Sequence, residues 1–222
     1  MSWQKYVFLL LILCFSPCSS AEEPDTYLRN KGLVDISTLD STICVQLIYA
    51  TSDNFMGKAV YSGITRAWLH PDAAKKLVAA QQLLKKEQPG LTLVVYDAAR
   101  PMSVQRKMWA LVQGTDKVNY VSNPANGGGL HNYGMAVDVT ILDEAGVALP
   151  MGTPFDFFGE EAHTNNEEAL LNAGKIDRTA YDNRRLLRRI MKQAGFRIIP
   201  YEWWHFNACS RAEARQSYSV LD

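Results

Sequence analysis

The sequence is poor in cysteine and histidine and has no excess of charge of either sign. It has 222 residues, with four cysteines, four histidines, 23 basic and 23 acidic side chains. Without a basic excess to displace counterions, the composition argues against a nucleic-acid-binding protein. A hydrophobic content of 47% excludes a disordered chain. The sequence therefore indicates a globular protein, whose few cysteines and histidines are the first candidates for a metal site.

The sequence also lacks the run of about 20 apolar residues that spans a bilayer. Its apolar run at residues 6–15 (YVFLLLILCF) follows Lys5 and precedes small residues that end at Ala21. This arrangement is typical of a secretory signal peptide. We expect residues 1–21 to be removed on export to the periplasm, leaving residues 22–222 as one domain with no transmembrane span. The alternative is a lipoprotein anchored at Cys18.

Cleavage would remove two of the four cysteines and leave Cys44 and Cys209, near opposite ends of the chain. In an oxidising compartment these two residues are compatible with one disulfide, and equally with two separate buried thiols. Their distance in sequence excludes a structural zinc finger.

Strand-like and helix-like segments follow one another without a regular βαβ order. The predicted strands are 43–50, 91–96, 136–142, 196–199 and 202–207. The predicted helices start at Pro71, at Ser103 and near Glu167, and the last covers 183–194. No repeat or linker divides the chain. This pattern predicts an α+β fold in a single compact domain, with a central antiparallel sheet flanked by helices.

A carboxylate lies inside the most apolar of these strands. Asp138 is expensive to bury there unless it is paired, hydrogen-bonded or bound to a metal. His131 precedes it by seven residues, and Gly134 allows a bend between the two. The pattern fits a metal site, and it fits equally a buried histidine that is hydrogen-bonded to an aspartate.

A second histidine strengthens the metal interpretation. Glu202 and His205 lie three residues apart among aromatic side chains that would exclude water. Zinc hydrolases use three protein ligands and leave one position for water. His131, Asp138 and His205 supply such a set, and Glu202 is then the candidate general base. The alternative is that Glu202 only caps or forms a salt bridge.

Arg100 follows a predicted strand and precedes Pro101, which restricts the local backbone. A guanidinium at a strand end is suited to stabilising a developing oxyanion. The alternative is an exposed arginine that pairs with Asp97.

Five segments together resemble the D-alanyl-D-alanine dipeptidases (VanX-like zinc enzymes related to D-Ala-D-Ala carboxypeptidases), in the same order along the chain. They are 49–55 (YATSDNF), 97–101 (DAARP), 131–138 (HNYGMAVD), 151–157 (MGTPFDF) and 202–205 (EWWH). The resemblance covers nearly all of residues 22–222. It implies a compact fold in which the sheet forms the floor of a zinc cleft.

By position, the resemblance implies one Zn²⁺ per chain, held by the three residues His131, Asp138 and His205. It implies that Glu202 is the general base and that Arg100 stabilises the tetrahedral intermediate. Substrate binding falls to Asp156, which would meet the substrate ammonium, and to Tyr49 in the first matching segment. The family has a serine two positions before the first histidine, where this sequence has Gly129.

The resemblance implies hydrolysis of D-Ala-D-Ala to free D-alanine, and a signal peptide would place this reaction in cell-wall recycling or scavenging. A D,D- or L,D-carboxypeptidase acting on longer muropeptide stems is the nearest alternative. A non-catalytic zinc-binding module that recognises cell-wall peptides is another, although Glu202 and Arg100 are both present. A small D,D-dipeptide is the expected partner, with no nucleic acid.

Overall fold

The computed structural model describes residues 22–222, so the predicted signal peptide and the alternative anchor at Cys18 lie outside the described residues. Six α-helices occur in this part of the chain. They are α1 (Pro24–Asn30), α2 (Pro71–Glu87), α3 (Met102–Val112), α4 (Glu167–Asn172), α5 (Arg178–Gln193) and α6 (Arg211–Ser217). None of the helices in residues 22–222 has the length and apolar character needed to cross a membrane.

Seven short strands accompany the helices. They are β1 (Val34–Asp35), β2 (Cys44–Val45), β3 (Trp68–Leu69), β4 (Thr92–Asp97), β5 (Ala136–Leu142), β6 (Arg197–Ile198) and β7 (His205–Asn207). β1 and β3 form a separate antiparallel pair. The other five form a sheet in the order β2-β4-β5-β7-β6, with β5 in the centre. The predicted α+β class and central sheet with flanking helices are confirmed.

One pair in the central sheet departs from the predicted antiparallel arrangement. β2 pairs with β4 in parallel, whereas every other neighbouring pair in this sheet is antiparallel. The connection from β2 to β4 includes α2, and a crossover of this length is what a parallel pair requires.

The hydrophobic core lies between the sheet and its helices. β5 is buried along its whole length, as its continuous apolar sequence predicts. α2 packs against β4 and α5, and α5 packs against β6. His70 begins α2 as its N-cap, with the ring Nδ1 accepting a hydrogen bond from the amide of Asp72 at 3.2 Å. This histidine therefore has a structural role.

Three predicted strands are shorter than their sequence patterns indicate. The segment 43–50 contains only β2, because the chain then turns into a short 3-10 helix at Ile48–Ala50 that carries Tyr49. The strand predicted for 196–199 contains only β6, and β7 starts at His205, so Glu202 lies in the bend that precedes it.

The two cysteines of the described chain are free thiols. Cys44 is in β2 and Cys209 follows β7, which lies three strand positions away in the sheet. With neighbouring strands about 4.8 Å apart, this separation is well beyond the reach of a disulfide. Of the two interpretations left open by the sequence, the structure therefore has separate thiols.

Candidate metal centre and active-site cavity

Three polar side chains lie side by side across the centre of the sheet. In the strand register, Asp138 on β5 is opposite Asp97 on β4 and opposite His205 on β7. Side chains that face each other across antiparallel strands project from the same side of the sheet. The register therefore assembles two carboxylates and an imidazole that are far apart in sequence.

A tight turn brings His131 to this row. His131 lies in a 3-10 helix, Leu130–Tyr133, that ends at Gly134, whose φ is +65°. A Cβ atom at Gly134 would lie 3.0 Å from the backbone nitrogen of His70 and 3.0 Å from Leu33 Cδ2. Glycine is required here both for the left-handed backbone and for the close packing, which fixes the turn against the segments that carry His70 and Leu33.

The three predicted metal ligands meet at one point. His131 Nε2 lies 3.1 Å from His205 Nδ1 and 3.3 Å from Asp138 Oδ1, and His205 Nδ1 lies 3.0 Å from Asp138 Oδ1. All three residues are buried. The structure thus brings together the residues that the sequence analysis selected.

Outer hydrogen bonds determine which ring nitrogens face this point. His131 Nδ1 donates to the carbonyl oxygen of Ala98 at 2.7 Å, and His205 Nε2 donates to Asn207 Oδ1 at 2.8 Å. In the neutral imidazoles the two inner nitrogens then carry lone pairs. Two lone pairs and a carboxylate oxygen this close together repel one another unless a proton or a metal ion lies between them. The donor set therefore fits a divalent metal ion, and two imidazoles with one carboxylate fit zinc.

Glu202 lies beside these ligands. Its Oε2 is 3.9 Å from His205 Nδ1, and its side chain is 14% exposed. Burial raises the pKa of the Glu202 carboxyl to about 8. Its position is fixed by the tryptophans that follow it, since the carbonyl of Trp204 accepts from the amide of Val139 at 3.0 Å and Trp203 Nε1 donates to Thr153 Oγ1 at 2.8 Å.

Arg100 lies in the wall of the same site. It is 9% exposed, and its Nε donates to Asp97 Oδ2 at 3.0 Å. A second nitrogen donates to Gln105 Oε1 at 3.0 Å, and the guanidinium carbon lies 5.1 Å from the centre of the Tyr49 ring. The pairing with Asp97 that the sequence suggested is therefore present, but it is buried in the wall of the cavity and not exposed.

Asp156 and Tyr49 form a separate acidic part of the site. Tyr49 donates its hydroxyl hydrogen to Asp156 Oδ1 at 2.8 Å, and the amide of Phe55 donates to Oδ2 at 3.3 Å. Within residues 22–222, Asp156 is the one non-glycine residue with positive φ, at 59°. Burial raises the pKa of its carboxyl to about 7, and burial together with Asp156 raises the pKa of Tyr49 well above its usual value. Its left-handed backbone is a conformation that few non-glycine residues adopt.

These groups share one cavity of about 410 Å³. Its polar lining residues include Tyr49, Arg100, Gln105, Ser122, His131, Asp138, Asp156, Arg197, Glu202, His205, Asn207 and Arg211. All seven residues that the sequence analysis selected are in this set.

Several residues that hold the site in place are not apparent from the sequence. Asp97 was seen only as a partner of Arg100, and Gln105 and Asn207 were not selected. Asn207 could have been identified from the sequence, because it lies two residues after His205 in a predicted strand and so shares the same face of the sheet. No sequence pattern points to Gln105, since its contact with Arg100 depends on how α3 packs.

Comparison with protein families matches residues 29–221 to Peptidase_M15, described as D-Ala-D-Ala dipeptidase. A D-alanyl-D-alanine dipeptidase of Escherichia coli (strain K12) is 37% identical over 189 residues, which cover 85% of this chain and 89% of the relative. The enzyme of the same name from Enterococcus faecium is 30% identical over 178 residues, covering 71% and 82%. That of Enterococcus faecalis is 27% identical over 177 residues, covering 71% and 82%.

Proposed function

Because this chain belongs to the Peptidase_M15 family of D-Ala-D-Ala dipeptidases, we propose that it hydrolyses the free dipeptide D-Ala-D-Ala to D-alanine with one zinc ion. The observation that carries the zinc dependence is the convergence of His131 Nε2, Asp138 Oδ1 and His205 Nδ1 within 3.3 Å of one another. The outer hydrogen bonds of both imidazoles leave these atoms as acceptors, which is what a metal ion requires.

Zinc bound by these three residues would supply Lewis-acid chemistry, lowering the pKa of a coordinated water to about 7 and polarising the scissile carbonyl. Glu202 lies 3.9 Å from one of the ligands and accepts the proton of the attacking water. The same carboxyl then delivers that proton to the leaving amine. A carboxyl in this position is suited to both steps, because it can take up a proton from the water and release it to the leaving group.

Arg100 stabilises the negative charge that develops on the carbonyl oxygen. Asp97 and Gln105 fix two sides of its guanidinium, so the remaining N–H groups are oriented before the substrate binds. Fixed donors stabilise a transition state more than mobile ones because no reorganisation is needed during the reaction.

Asp156 and Tyr49 bind the substrate ammonium. In the described part of the chain Asp156 accepts hydrogen bonds from two neutral groups and forms no ion pair, and burial raises its pKa. A cation bound beside it would favour the ionised carboxylate. The N-terminal ammonium of a dipeptide provides such a cation.

We also propose that residues 1–21 direct export and that the enzyme acts outside the cytoplasm, in recycling or scavenging of cell-wall dipeptide. The support is the short apolar run that follows a basic start and ends in small residues. Expression of the full chain followed by fractionation and intact-mass measurement tests this. A periplasmic protein that begins at residue 22 is expected, whereas an unprocessed cytoplasmic protein would contradict it.

The function itself is tested with a panel of D,D-, L,D- and L,L-dipeptides and a pentapeptide stem ending in D-Ala-D-Ala. We expect release of D-alanine from the free D,D-dipeptide, loss of activity with a chelator and recovery with zinc. Preferential cleavage of the pentapeptide would identify a carboxypeptidase instead. Binding of zinc and dipeptide without release of alanine would identify a recognition module.

A further inference from the structure

We propose that Ser122 and Arg211, which line the same cavity as Asp156, bind the carboxylate of the substrate. This inference rests on the proposed function, since it assigns the second charged end of a zwitterionic dipeptide. Both residues line the cavity that contains His131, Asp138 and His205. They lie on segments that carry none of the seven site residues selected from the sequence.

The cavity contains charged side chains of both signs, and they are not all paired. Arg100 is neutralised by Asp97, with which it forms a buried ion pair. Two further arginines line the cavity, Arg197 and Arg211, and neither forms an ion pair with any carboxylate of residues 22–222. The cavity thus has an acidic part at Asp156 and unpaired positive charge elsewhere, which suits a ligand with an ammonium and a carboxylate.

The Ser122 hydroxyl lies beside Gly129, close to the candidate metal site. A Cβ atom at Gly129 would lie 3.0 Å from Ser122 Oγ, so the hydroxyl occupies the space beside the missing side chain. Gly129 precedes His131 by two residues, which places this hydroxyl next to the turn that carries a metal ligand. The segment is fixed, because Gln105 Nε2 donates to the Ser122 carbonyl at 2.7 Å while Gln105 Oε1 accepts from Arg100.

The side chains of Ser122 and Arg211 contact each other. An Arg211 terminal nitrogen donates to Ser122 Oγ at 3.2 Å. The hydroxyl therefore accepts from Arg211, and its own hydrogen is available for an anion. A guanidinium has five N–H donors in a planar fork that matches a carboxylate. Arg197 makes no side-chain hydrogen bond within the described residues, so Arg211 is the better-placed of the two arginines.

The resulting arrangement orients the dipeptide. The ammonium lies at Asp156 and Tyr49, and the carboxylate lies at Ser122 and Arg211. The amide between them then lies over the cluster of His131, Asp138 and His205, beside Glu202. Removing a charged hydrogen-bond partner of this kind costs about tenfold or more in affinity.

The test compares D-Ala-D-Ala with D-alanyl-D-alaninamide, which has a neutral carboxamide in place of the carboxylate. We expect Arg211→Gln and Ser122→Ala each to raise KM for the free acid about tenfold, with kcat little changed and with little effect on the carboxamide. Arg215→Gln is the matched control, because Arg215 lies one turn further along α6 and contacts the Asn126 carbonyl outside this cavity. It should leave both substrates unaffected.

Equal losses on both substrates would indicate a structural effect and overturn the assignment. A selective loss in Arg197→Gln with none in Arg211→Gln would overturn it in favour of Arg197. If the wild-type protein cleaves neither substrate, the proposed hydrolysis fails. Calorimetric binding of intact D-Ala-D-Ala then decides the assignment, which stands if Arg211→Gln weakens binding and fails if it does not.

Discussion

Asp97 on β4 lies directly opposite Asp138 on β5, and the guanidinium of Arg100 contacts both carboxylates. Two like charges facing each other across antiparallel strands are destabilising when nothing lies between them. Arg100 therefore stabilises the fold as well as the proposed reaction. The two roles can be tested separately. Asp97 is fully buried and pairs with Arg100, whereas Asp138 belongs to the candidate metal site.

Arg100→Met is expected to lower both stability and activity. It leaves Asp97 buried without its cation, and breaking a buried pair in this way costs about 3–5 kcal/mol in the free energy of unfolding. The double variant Arg100→Met/Asp97→Asn should recover most of the stability but none of the activity. Urea unfolding and dipeptide turnover measure the two effects.

Arg106→Met is the control for this cycle. Arg106 is exposed and lies 4.0 Å from Asp222, so its loss should change stability by less than about 1 kcal/mol. If the double variant regains activity together with stability, Arg100 has only a structural role.

Glu202→Gln is expected to retain the metal and lose turnover. The amide keeps the shape of the side chain but cannot take up the proton of the attacking water, so kcat should fall by about 10²–10⁴-fold. Glu144→Gln, in an exposed turn, is the control. Elemental analysis and kcat are measured on the same preparations. Near-native turnover with Gln at this position would remove Glu202 from the mechanism.

Asn207→Leu is expected to weaken metal binding without removing a ligand. The variant loses the acceptor of the hydrogen bond from His205 Nε2–H. The proton is then no longer held on Nε2, so His205 Nδ1 is no longer fixed as the nitrogen with the lone pair. The loss of such an outer partner costs about 10–100-fold in metal affinity. Asn207→Asp keeps an acceptor and should retain the affinity. Competition with a chromophoric chelator measures both, and equal affinities for all three proteins would contradict this role.

The sequence predicted that His131, Asp138 and His205 come together, because each lies in a short distinctive segment with chemically unusual neighbours. Asp138 stands out as a carboxylate in an otherwise apolar strand, and its strand is the one whose predicted bounds match the structure. A strand buried on both faces has a continuous apolar sequence, so its ends are easy to locate.

The sequence did not predict the register or the supporting contacts. That Asp97 faces Asp138 depends on an irregularity in the pairing of β4 with β5, between Val95 and Asp97. No sequence pattern marks such a shift. Ser122 and Arg211 are 89 residues apart and meet only because both segments pack around one cavity. Local patterns therefore indicated the candidate site, whereas the contacts around it depend on tertiary packing.

Asp156→Asn is expected to make the protein more stable above neutral pH while weakening substrate binding. Burial raises the pKa of Asp156 from about 4 to about 7. Between these values the folded protein holds a proton that the unfolded chain has released, so the free energy of unfolding contributed by this group falls as the pH rises. Asparagine cannot ionise, and the variant should lose this part of the pH dependence.

Urea unfolding at pH 5 and pH 8 measures this difference between variant and wild type, with the exposed Asp53→Asn as the control. The variant should also raise KM for D-Ala-D-Ala but not for its N-acetyl derivative, which has no ammonium. The buried Asp156 carboxyl lowers the free energy of unfolding of the substrate-free protein at neutral pH. Binding of a cationic substrate group beside this carboxyl offsets the loss. If the variant and wild type show the same pH dependence, Asp156 is already ionised in the free protein. The burial of Asp156 would then not strengthen the binding of the substrate ammonium.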